Sequence, residues 1–529
     1  MLLSGLLFLT FAESKAQEAT KITPVNKVQA VRKPSVLARL IRGPYLQVAT
    51  SKSMIIRWRT DALTRSVVTY GTSENELAMQ AEDSVLTFEH KITLNGLAPR
   101  TKYYYSIGGG IGDTLQMGPG NYFVTLPVPG TEGSYRIGVF GDCGNNSVNQ
   151  RTVRDQVVKY LEDKPMDAWI LLGDNAYSSG TDPEFQQNFF NIYKDDLLKK
   201  YPLFPAPGNH DYKDFYQYNA TAQSTHNIAY YQNFSMPAHG EAGGVPSGTQ
   251  AFYSYDIGNI HFLSLDSYGK EDNETQMYDT SGAQAQWIKK DLEAFRNTKR
   301  GWVVAYWHHP PYSMGSHNSD DDEELTAIRE NFIRILERNG VDLILCGHSH
   351  TYERSRLMNG HYGLEASFNP SVHNLSPSSG LYDGSINSCP YIKDPVTNRG
   401  TVYVVSGTAG ALGGKQVSFP HDAMYYSNEQ IGGASMIEVT ENKLELKWIN
   451  SDGEIRDHFV MMKDVNKNRI INIKKGQRIT LTASYVGNYK WNKRKESSRS
   501  ITVTPSKKTV YEVTDPFSCL KDRFEVRVK

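Results

Sequence analysis

Five short polar motifs, each placed directly after a run of apolar residues, constrain the fold of this chain more than any other feature. The apolar runs cover residues 135–140, 168–172, 203–206, 302–307 and 341–346. The motifs that follow them are Gly141-Asp142-Cys143-Gly144, Gly173-Asp174-Asn175-Ala176-Tyr177, Gly208-Asn209-His210-Asp211, His308-His309-Pro310 and Gly347-His348-Ser349-His350. Short apolar runs that end at turn residues are typical of buried strands. Because ligands of an open α/β sheet gather at the carboxyl ends of its strands, we expect the five motifs to converge on one place.

The region that carries the motifs alternates strands with helices. Within residues 134–463, helices are predicted at 148–161, 183–198, 283–295 and 322–339. In the last of these, Leu325, Ile328, Phe332 and Leu336 recur at three- and four-residue spacing, which places them on one face. This alternation predicts a layered α/β domain.

All-β patterns flank this domain on both sides. Residues 42–128 contain predicted strands at 53–59, 65–70, 90–94 and 102–107, separated by Gly and Pro, which favours a small antiparallel sandwich. Residues 464–529 contain predicted strands at 477–483, 500–503, 509–513 and 524–528, which favours a small immunoglobulin-like β-module. The chain is therefore predicted to be a multidomain protein of mixed α/β and all-β class.

The amino-terminal residues resemble a targeting segment. An apolar run at 2–11 is followed by Ser14-Lys15-Ala16, which predicts a secretory signal peptide over residues 1–16 and a leader over 17–41. A short buried segment is the alternative. No later segment has the roughly eighteen uninterrupted apolar residues that a membrane span needs. We expect a secreted, periplasmic or cell-surface protein, with the C-terminal module as the part suited to surface association.

Composition narrows the partners. The 529 residues contain 57 Lys and Arg and 57 Asp and Glu, so the formal net charge is zero. This argues against attraction of the whole chain to nucleic acid or to an anionic membrane. The four cysteines do not form a disulfide framework. Cys143 and Cys346 are expected to be small buried side chains, with a bridge between them as an alternative.

The side chains of the five motifs are chemically suited to two metal ions. A trivalent ion such as Fe(III) would deprotonate a tyrosine and hold the phenolate, since the ordinary pKa of tyrosine is about 10. Neutral imidazole and amide donors suit a borderline divalent ion such as Zn, Mn or Fe(II). The candidate ligands are Asp142, Asp174, Tyr177, Asn209, His308, His348 and His350, with Asp174 as the natural bridge. Each motif alone has a simpler interpretation as a turn or a packing residue.

The ordered set GDCG, GDNAY, GNHD, HHPPY and GHSHTYERS resembles the purple acid phosphatases, a branch of the calcineurin-like metallophosphoesterases. Arg42-Gly43-Pro44-Tyr45-Leu46-Gln47 is similar to the entry of the fibronectin type III-like domain that precedes the catalytic domain in that family. The resemblance covers about residues 42–463. It implies a four-layer α/β/β/α metallophosphoesterase sandwich behind a fibronectin type III-like β-sandwich.

The resemblance also implies a division of the ligands. Fe(III) would be held by Asp142, Asp174, Tyr177 and His350, and the divalent ion by Asp174, Asn209, His308 and His348. The family pattern favours His308 over its neighbour His309. The implied activity is hydrolysis of phosphate monoesters with a metal-bound hydroxide as nucleophile. His210 and His317 would contact the substrate or donate a proton.

Two other functions stay open at this stage. One is a phosphodiesterase or nucleotide-cleaving activity with the same metals, so that a nucleotide is the only nucleic-acid component expected as a substrate. The other is a surface adhesion protein whose β-modules bind a partner and whose metal site is a relic. Residues 359–400, rich in Gly, Ser, Pro and Asn, are expected to form either a lid over the site or a surface insertion.

Overall fold

The computed structural model describes residues 38–110, 113–162, 164–214, 217–297, 301–394 and 396–529. The predicted signal peptide and residues 17–37 of the predicted leader lie outside these ranges. Among the described residues, no helix is long and apolar enough to cross a membrane.

The amino-terminal strands pair around one very long strand. They are β1 (Leu40–Gln47), β2 (Met54–Gly71), β3 (Met79–Leu94), β4 (Lys102–Gly110), β5 (Asp113–Gln116) and β6 (Tyr122–Val124). The prediction of separate strands at 53–59 and 65–70 is wrong, because β2 runs through both. Its pairing with β3 shifts register between Arg59 and Thr64 and again before Ser66. This irregularity interrupts the alternation of buried and exposed residues, so the sequence reads as two strands.

Two sheets form the centre of residues 134–463. The first contains β7 (Ser134–Phe140), β8 (Ala168–Leu172), β9 (Leu203–Ala206), β17 (Tyr391–Ile392), β20 (Gly433–Thr440), β21 (Lys443–Asn450) and β22 (Ile455–Met462). The second contains β12 (Tyr253–Ile257), β13 (Ile260–Ser264), β14 (Trp302–Tyr306), β15 (Leu343–Cys346), β16 (Tyr352–Ser355), β18 (Val402–Ser406) and β19 (Met424–Asn428). A separate hairpin joins β10 (Lys213–Asp214) to β11 (Gln217–Tyr218).

Both sheets are mixed, and their parallel strands carry the motifs. In the first sheet the order is β17-β22-β21-β20-β7-β8-β9, with β7, β8 and β9 parallel. In the second the order is β12-β13-β14-β15-β18-β16-β19, with β13, β14, β15 and β18 parallel. The five motif-bearing strands are therefore central, and their carboxyl ends precede the polar loops.

The two sheets pack face to face. The ring of Phe204 on β9 stacks on Tyr255 of β12 with centroids 3.9 Å apart. The Tyr306 hydroxyl on β14 donates a hydrogen bond of 3.1 Å to the Phe204 carbonyl. Near the other edge, the hydroxyls of Ser406 and Ser435 lie 2.9 Å apart. Interdigitated apolar side chains between the sheets form the main core.

Helices cover the outer faces of both sheets. Two are uninterrupted α-helices, Val148–Tyr160 and Ala283–Asn297. Two others consist of consecutive α- and π-helical turns: Asp182–Glu184, Phe185–Phe190, Asn191–Tyr193 and Lys194–Leu198, and then Glu323–Ala327, Ile328–Phe332 and Ile333–Arg338. Short helices lie at Ala222–Thr225, Ala229–Asn233 and Pro370–His373, with 3-10 turns at His210–Tyr212 and Glu365–Ser367. The four predicted helices are confirmed to within two residues at each end, and the predicted apolar face of the last one is buried.

The first sheet continues into the amino-terminal strands. Gln47 of β1 pairs in parallel with Leu203 of β9. At the other end of β1, the buried Arg42 guanidinium lies 2.9 Å from the Asp182 carboxylate. Through these contacts the amino-terminal strands are fixed to the domain that carries the motifs.

The carboxyl-terminal strands have a core of their own. They are β23 (Asn468–Ile473), β24 (Ile479–Thr482), β25 (Lys490–Trp491), β26 (Ser500–Val503), β27 (Thr509–Thr514) and β28 (Lys521–Val528), in sheets ordered β23-β28-β27-β25 and β24-β26. The core around Trp491 and Phe524 also includes Val460 and Met462 of β22. The last strands are therefore packed against the central domain.

One disulfide joins Cys389 to Cys519, a pairing that the sequence analysis does not anticipate. Cys143 and Cys346 are free and buried, as expected. The bridge ties residues 359–400 to the C-terminal strands, and Tyr382 in the same segment donates a hydrogen bond of 3.1 Å to Asp515. At its start the segment is anchored through Asn359, which donates to Glu337 over 2.8 Å. None of the hydrogen bonds formed by the described part of this segment reaches the seven candidate ligands.

Candidate metal centre

The carboxyl ends of β7, β8, β9, β14 and β15 bring the predicted donor side chains together. The Tyr177 hydroxyl lies 3.1 Å from Asp142 Oδ1 and 3.0 Å from His350 Nε2. His350 Nε2 is 3.5 Å from the same Asp142 oxygen. These three atoms form the first cluster.

A second cluster surrounds His308. Its Nε2 atom lies 3.0 Å from Asn209 Oδ1, 3.2 Å from His348 Nδ1 and 3.3 Å from Asp174 Oδ2. Its Nδ1 atom lies 2.8 Å from the Leu172 carbonyl, which can only accept a hydrogen bond. In a neutral ring the proton is therefore on Nδ1, and Nε2 presents a lone pair to the three neighbouring atoms. Convergence of lone pairs in this way fits a bound cation, and a carbonyl that orients the imidazole is common around metals.

Asp174 connects the two clusters. One ligand atom from each of Asp142, Asp174 and His308 lies within 4.8 Å of the others. The first cluster supplies two oxygen donors and one nitrogen, and the second supplies two nitrogens and an amide oxygen. The donor set therefore fits two adjacent metal ions that share one carboxylate.

The protonation equilibria reflect this concentration of donors. Burial lowers the pKa of His308, but the Asp174 carboxylate outweighs it and raises the pKa to about 9. Burial and the adjacent imidazoles of His309 and His308 lower the pKa of His348 well below its usual value. Burial, together with Asp142 and Asp174, raises the pKa of Tyr177. Proton release from His308 and Tyr177 therefore has to accompany cation binding, which is a general feature of metal sites.

The backbone at the ligands is unusual. Asp142, Asp174 and His348 have φ angles of +55°, +51° and +65°. The left-handed region is uncommon for residues other than glycine, with Asp, Asn and His as the more tolerant types. The tight turns that result aim side chains from the strand ends into one small volume.

Two glycines allow the motif loops to approach each other. A Cβ atom on Gly208 would lie 2.2 Å from the Asp174 amide nitrogen and 2.3 Å from its carboxylate. A Cβ atom on Gly173 would lie 2.5 Å from the His308 ring. The glycines of the Gly-Asn-His-Asp and Gly-Asp-Asn motifs are therefore required for packing of one ligand loop on another.

The two histidines predicted to assist catalysis border the clusters. The His210 amide donates a hydrogen bond of 2.8 Å to Asp174, and its Nδ1 donates to the Ser178 carbonyl over 2.7 Å. The His317 ring lies 3.7 Å from the His348 ring, and its Nδ1 lies 2.9 Å from the Asp322 carboxylate. Both side chains are partly exposed.

Three residues at the site were not assigned a role from the sequence. Asp211 is buried and accepts hydrogen bonds from the Asn175 side chain and the Gly208 amide, both over 2.8 Å, so it ties two ligand loops together. His309 lies beside His308 and His348, with its Nδ1 atom 2.8 Å from the Ser267 hydroxyl. Asp322 orients His317. Asp211 and His309 lie within the motifs, and that position is the sequence feature that could have indicated a role. Asp322 stands in an acidic run at a helix start, where the helix dipole already accounts for acidic residues.

Two family models match the chain. The model for the purple acid phosphatase N-terminal domain matches residues 41–125, and the model for calcineurin-like phosphoesterases matches residues 135–352. The second match contains all five motif-bearing strands and all seven donor residues.

Over both matched regions, the chain is similar to the purple acid phosphatases. It is 28% identical over 329 residues to purple acid phosphatase 15 of Arabidopsis thaliana, and the aligned region covers 55% of this chain and 57% of that relative. It is 25% identical over 390 residues to acid phosphatase type 7 of Mus musculus, and the aligned region covers 68% of this chain and 75% of that relative. The chain thus spans just over half the length of the first of these relatives.

Solved structures show the same fold. The purple acid phosphatase PPD1 from yellow lupin superposes with a TM-score of 0.59 at 18% identity, covering 81% of this chain and 74% of that one. The structure of PhoD superposes with a TM-score of 0.55 at 14% identity, covering 79% of this chain and 90% of that one.

Proposed function

We propose that this purple acid phosphatase homologue hydrolyses phosphate monoesters at a dinuclear metal centre. The observation that carries the proposal is the pair of donor clusters that share Asp174. In this assignment Fe(III) would be held by Asp142, Asp174, Tyr177 and His350. A divalent ion, Zn, Mn or Fe(II), would be held by Asp174, Asn209, His308 and His348.

When bound, the metal pair supplies a nucleophile from water at neutral pH and neutralises charge on the phosphate. The chain's own residues position the groups around it. His308 is oriented by the Leu172 carbonyl, and His348 is held by its amide, which donates to Asp142 over 3.0 Å. Asp211 fixes the loop that bears Asn209.

His210 and His317 are proposed to bind the phosphate and to provide a proton to the leaving alcohol. Each ring uses Nδ1 for a hydrogen bond to the protein, to the Ser178 carbonyl in one case and to Asp322 in the other. Nε2 of His317 is therefore left for the substrate, and Nε2 of His210 lies 3.9 Å from the Asp174 carboxylate, at the edge of the two clusters. Histidine is suited to this task because its ordinary pKa lies near physiological pH. The proposed substrate is a small phosphoester, with best activity at acid to neutral pH.

The organisation of the chain forms part of the proposal. Residues 42–128 are assigned as a fibronectin type III-like domain, 134–463 as the four-layer catalytic domain and 464–529 as an immunoglobulin-like module. A signal peptide over 1–16 and a leader over 17–41 would export the protein to the periplasm, the cell surface or the medium. The Cys389–Cys519 disulfide supports this location, because disulfides persist in oxidising compartments.

The test is the isosteric change Asp174→Asn, with Asp155→Asn on an exposed helix face as the control. Loss of both metals and of p-nitrophenyl phosphate hydrolysis is expected in the first variant alone. A phenolate bound to Fe(III) should also give the wild-type protein a purple or pink colour. Hydrolysis retained by Asp174→Asn would contradict the site. Much faster turnover of bis(p-nitrophenyl) phosphate would show that the protein is a diesterase and not a monoesterase. A colourless protein that contains zinc or manganese would rule out the Fe(III) assignment.

A further inference from the structure

Two tyrosines extend the candidate metal centre toward the surface. Tyr218 on β11 has 49% of its surface exposed, and its ring centroid lies 5.8 Å from that of Tyr268. The Tyr268 ring lies 6.0 Å from His309 at an interplanar angle of 21°. His309 in turn lies 4.3 Å from the candidate ligand His348. A continuous row of rings therefore leads from the second donor cluster to solvent.

The same exposed tyrosine also adjoins the first donor cluster. Its ring lies 6.3 Å from His210, whose ring lies 4.7 Å from the candidate ligand Tyr177. Tyr218 thus closes an arc of aromatic rings that begins at one cluster and ends at the other. A phosphate held at the clusters would lie beside this arc.

The tyrosines are held by the same loops as the candidate ligands. The hairpin that carries Tyr218 follows directly after the Gly208-Asn209-His210-Asp211 motif, and Lys213 pairs with Tyr218 across it. The Lys213 ammonium lies 5.3 Å from the centroid of the Tyr218 ring, a cation–π contact. The Tyr268 amide donates a hydrogen bond of 3.0 Å to the buried Asp266, whose other oxygen accepts from the Tyr212 hydroxyl. Both rings are therefore positioned relative to the ligand loops.

The two tyrosine rings are suited to stacking on an uncharged aromatic group of the substrate. Burial, reinforced by Tyr218 and Glu324, raises the pKa of Tyr268 to about 12, so its phenol stays neutral across the working range. A neutral ring does not repel an anionic substrate. It offers a flat apolar surface with the quadrupole that favours stacking of aromatic groups.

We propose that Tyr218 and Tyr268 form a subsite for the planar ring of an aromatic or heterocyclic leaving group. The proposal rests on the proposed function, since it names the class of phosphomonoester that the same site prefers. An alkyl phosphate would fill the metal centre and leave this subsite without a stacking partner. A nucleoside or aryl phosphate would use both.

The experiment compares two probes that share a charged group and differ in the ring, which is planar and aromatic in one and saturated in the other. Benzylphosphonate and cyclohexylmethylphosphonate carry the same charged group and methylene, and neither can be hydrolysed at its carbon–phosphorus bond. Calorimetric titration of the metal-loaded protein should give a Kd about fivefold lower for benzylphosphonate, because stacking outweighs the greater hydrophobicity of cyclohexyl. Tyr218→Leu and Tyr268→Leu should bring the ratio of the two Kd values close to one. Tyr218→Phe and Tyr268→Phe should retain it.

A matched control is available in the amino-terminal strands. Tyr104 on β4 also lies beneath a lysine, with Lys102 Nζ 4.6 Å from its ring centroid, and Tyr104→Leu should leave the ratio unchanged. Equal Kd values in the wild type, or a ratio unaffected by both leucine variants, would overturn the subsite. The subsite would also be overturned if neither of the two probes binds. A wild-type protein that shows the preference but does not hydrolyse p-nitrophenyl phosphate would overturn the proposed function and leave the subsite standing.

Discussion

His261 shows what a single buried side chain contributes outside the candidate metal centre. Its Nδ1 atom lies 2.8 Å from Asp256 and its Nε2 atom 2.6 Å from Asp291, so β13 is tied both to β12 and to the helix Ala283–Asn297. The ring is 1% exposed. Burial lowers its pKa, but the hydrogen bonds that the ring donates to two carboxylates raise it to about 9. The folded state therefore binds a proton that the unfolded chain releases at a lower pH.

The pH dependence of stability follows from this difference. The stabilisation by protonated His261 is fully present below the unfolded pKa of about 6.5 and is lost as the pH rises through about 9. We expect the free energy of unfolding of the wild type to fall across this window by a few kcal/mol more than that of His261→Gln. Urea unfolding at pH 6 to 10 measures this, with exposed His239→Gln as the control. Parallel pH profiles for wild type and His261→Gln would contradict the assignment.

Gly208 tests the close approach of the ligand loops. In Gly208→Ala the new methyl group would lie 2.2 Å from the Asp174 amide nitrogen, so the loop bearing Asn209 has to move. We expect loss of bound metal and a decrease of about 100-fold in phosphatase activity, since displacement of a positioning loop by about 1 Å costs that much. Gly414→Ala is the control, because nothing lies within 4 Å of its Cβ position. Metal content and turnover are measured for both variants. Unchanged metal binding in Gly208→Ala would show that the close approach of the two loops at Gly208 is not needed for the metal centre.

Among the secondary-structure elements, strand β1 joins the amino-terminal strands to the domain that carries the five motifs. Arg42 on this strand has a fully buried side chain that contacts Asp182 over 2.9 Å and covers the Phe190 ring at 4.4 Å. Burial raises the pKa of Asp182, but hydrogen bonds from Arg59 and Arg42 lower it to about 2. The arginine is thus the main polar link between β1 and the helical segment that follows β8.

Arg42→Met is expected to destabilise the protein by about 1–3 kcal/mol, because the buried side-chain oxygen of Asn233 loses its donor, whereas Asp182 keeps its ion pair with Arg59. Arg39→Met, directly before the same strand, should cost less than about 1 kcal/mol, since the Arg39 side chain is 83% exposed. The free energies of urea unfolding compare the two directly. Equal values for both variants would show that Arg42 does not link the domains.

Elements were predictable where the signal is local. The motif-bearing strands follow from apolar runs with polar ends, and the helices follow from periodicity. The single long β2 was not predictable, because its register shift near Thr64 depends on pairing with β3. At the site, the candidate ligands lie in motifs that directly follow strands. Tyr218 and Asp322 lie on a hairpin and at a helix start, and only the folded chain brings them near those motifs.

In the described part of the chain as a whole, the C-terminal strands are joined to the motif-bearing domain covalently and by packing. The Cys389–Cys519 bridge spans 130 residues. Two polar contacts add to the bridge: Arg499 lies 2.8 Å from Glu441, and Asn442 donates to the Ser484 carbonyl over 2.8 Å. Such a pairing could not be predicted from the sequence, because a separation of this length carries no geometric information and four cysteines offer six possible single bridges.

The bridge gives the last prediction. Without reductant, the unfolded protein should show the two thiols of Cys143 and Cys346, and reduction should release the other two. Replacing Cys389 and Cys519 together by serine should lower the free energy of unfolding by about 2–4 kcal/mol, because an open loop gains entropy in the unfolded chain. Reductant should destabilise the wild type by a similar amount and leave the double variant unchanged, which separates loss of the bridge from damage to packing. Four reactive thiols before reduction would show that the C-terminal strands are held by packing alone.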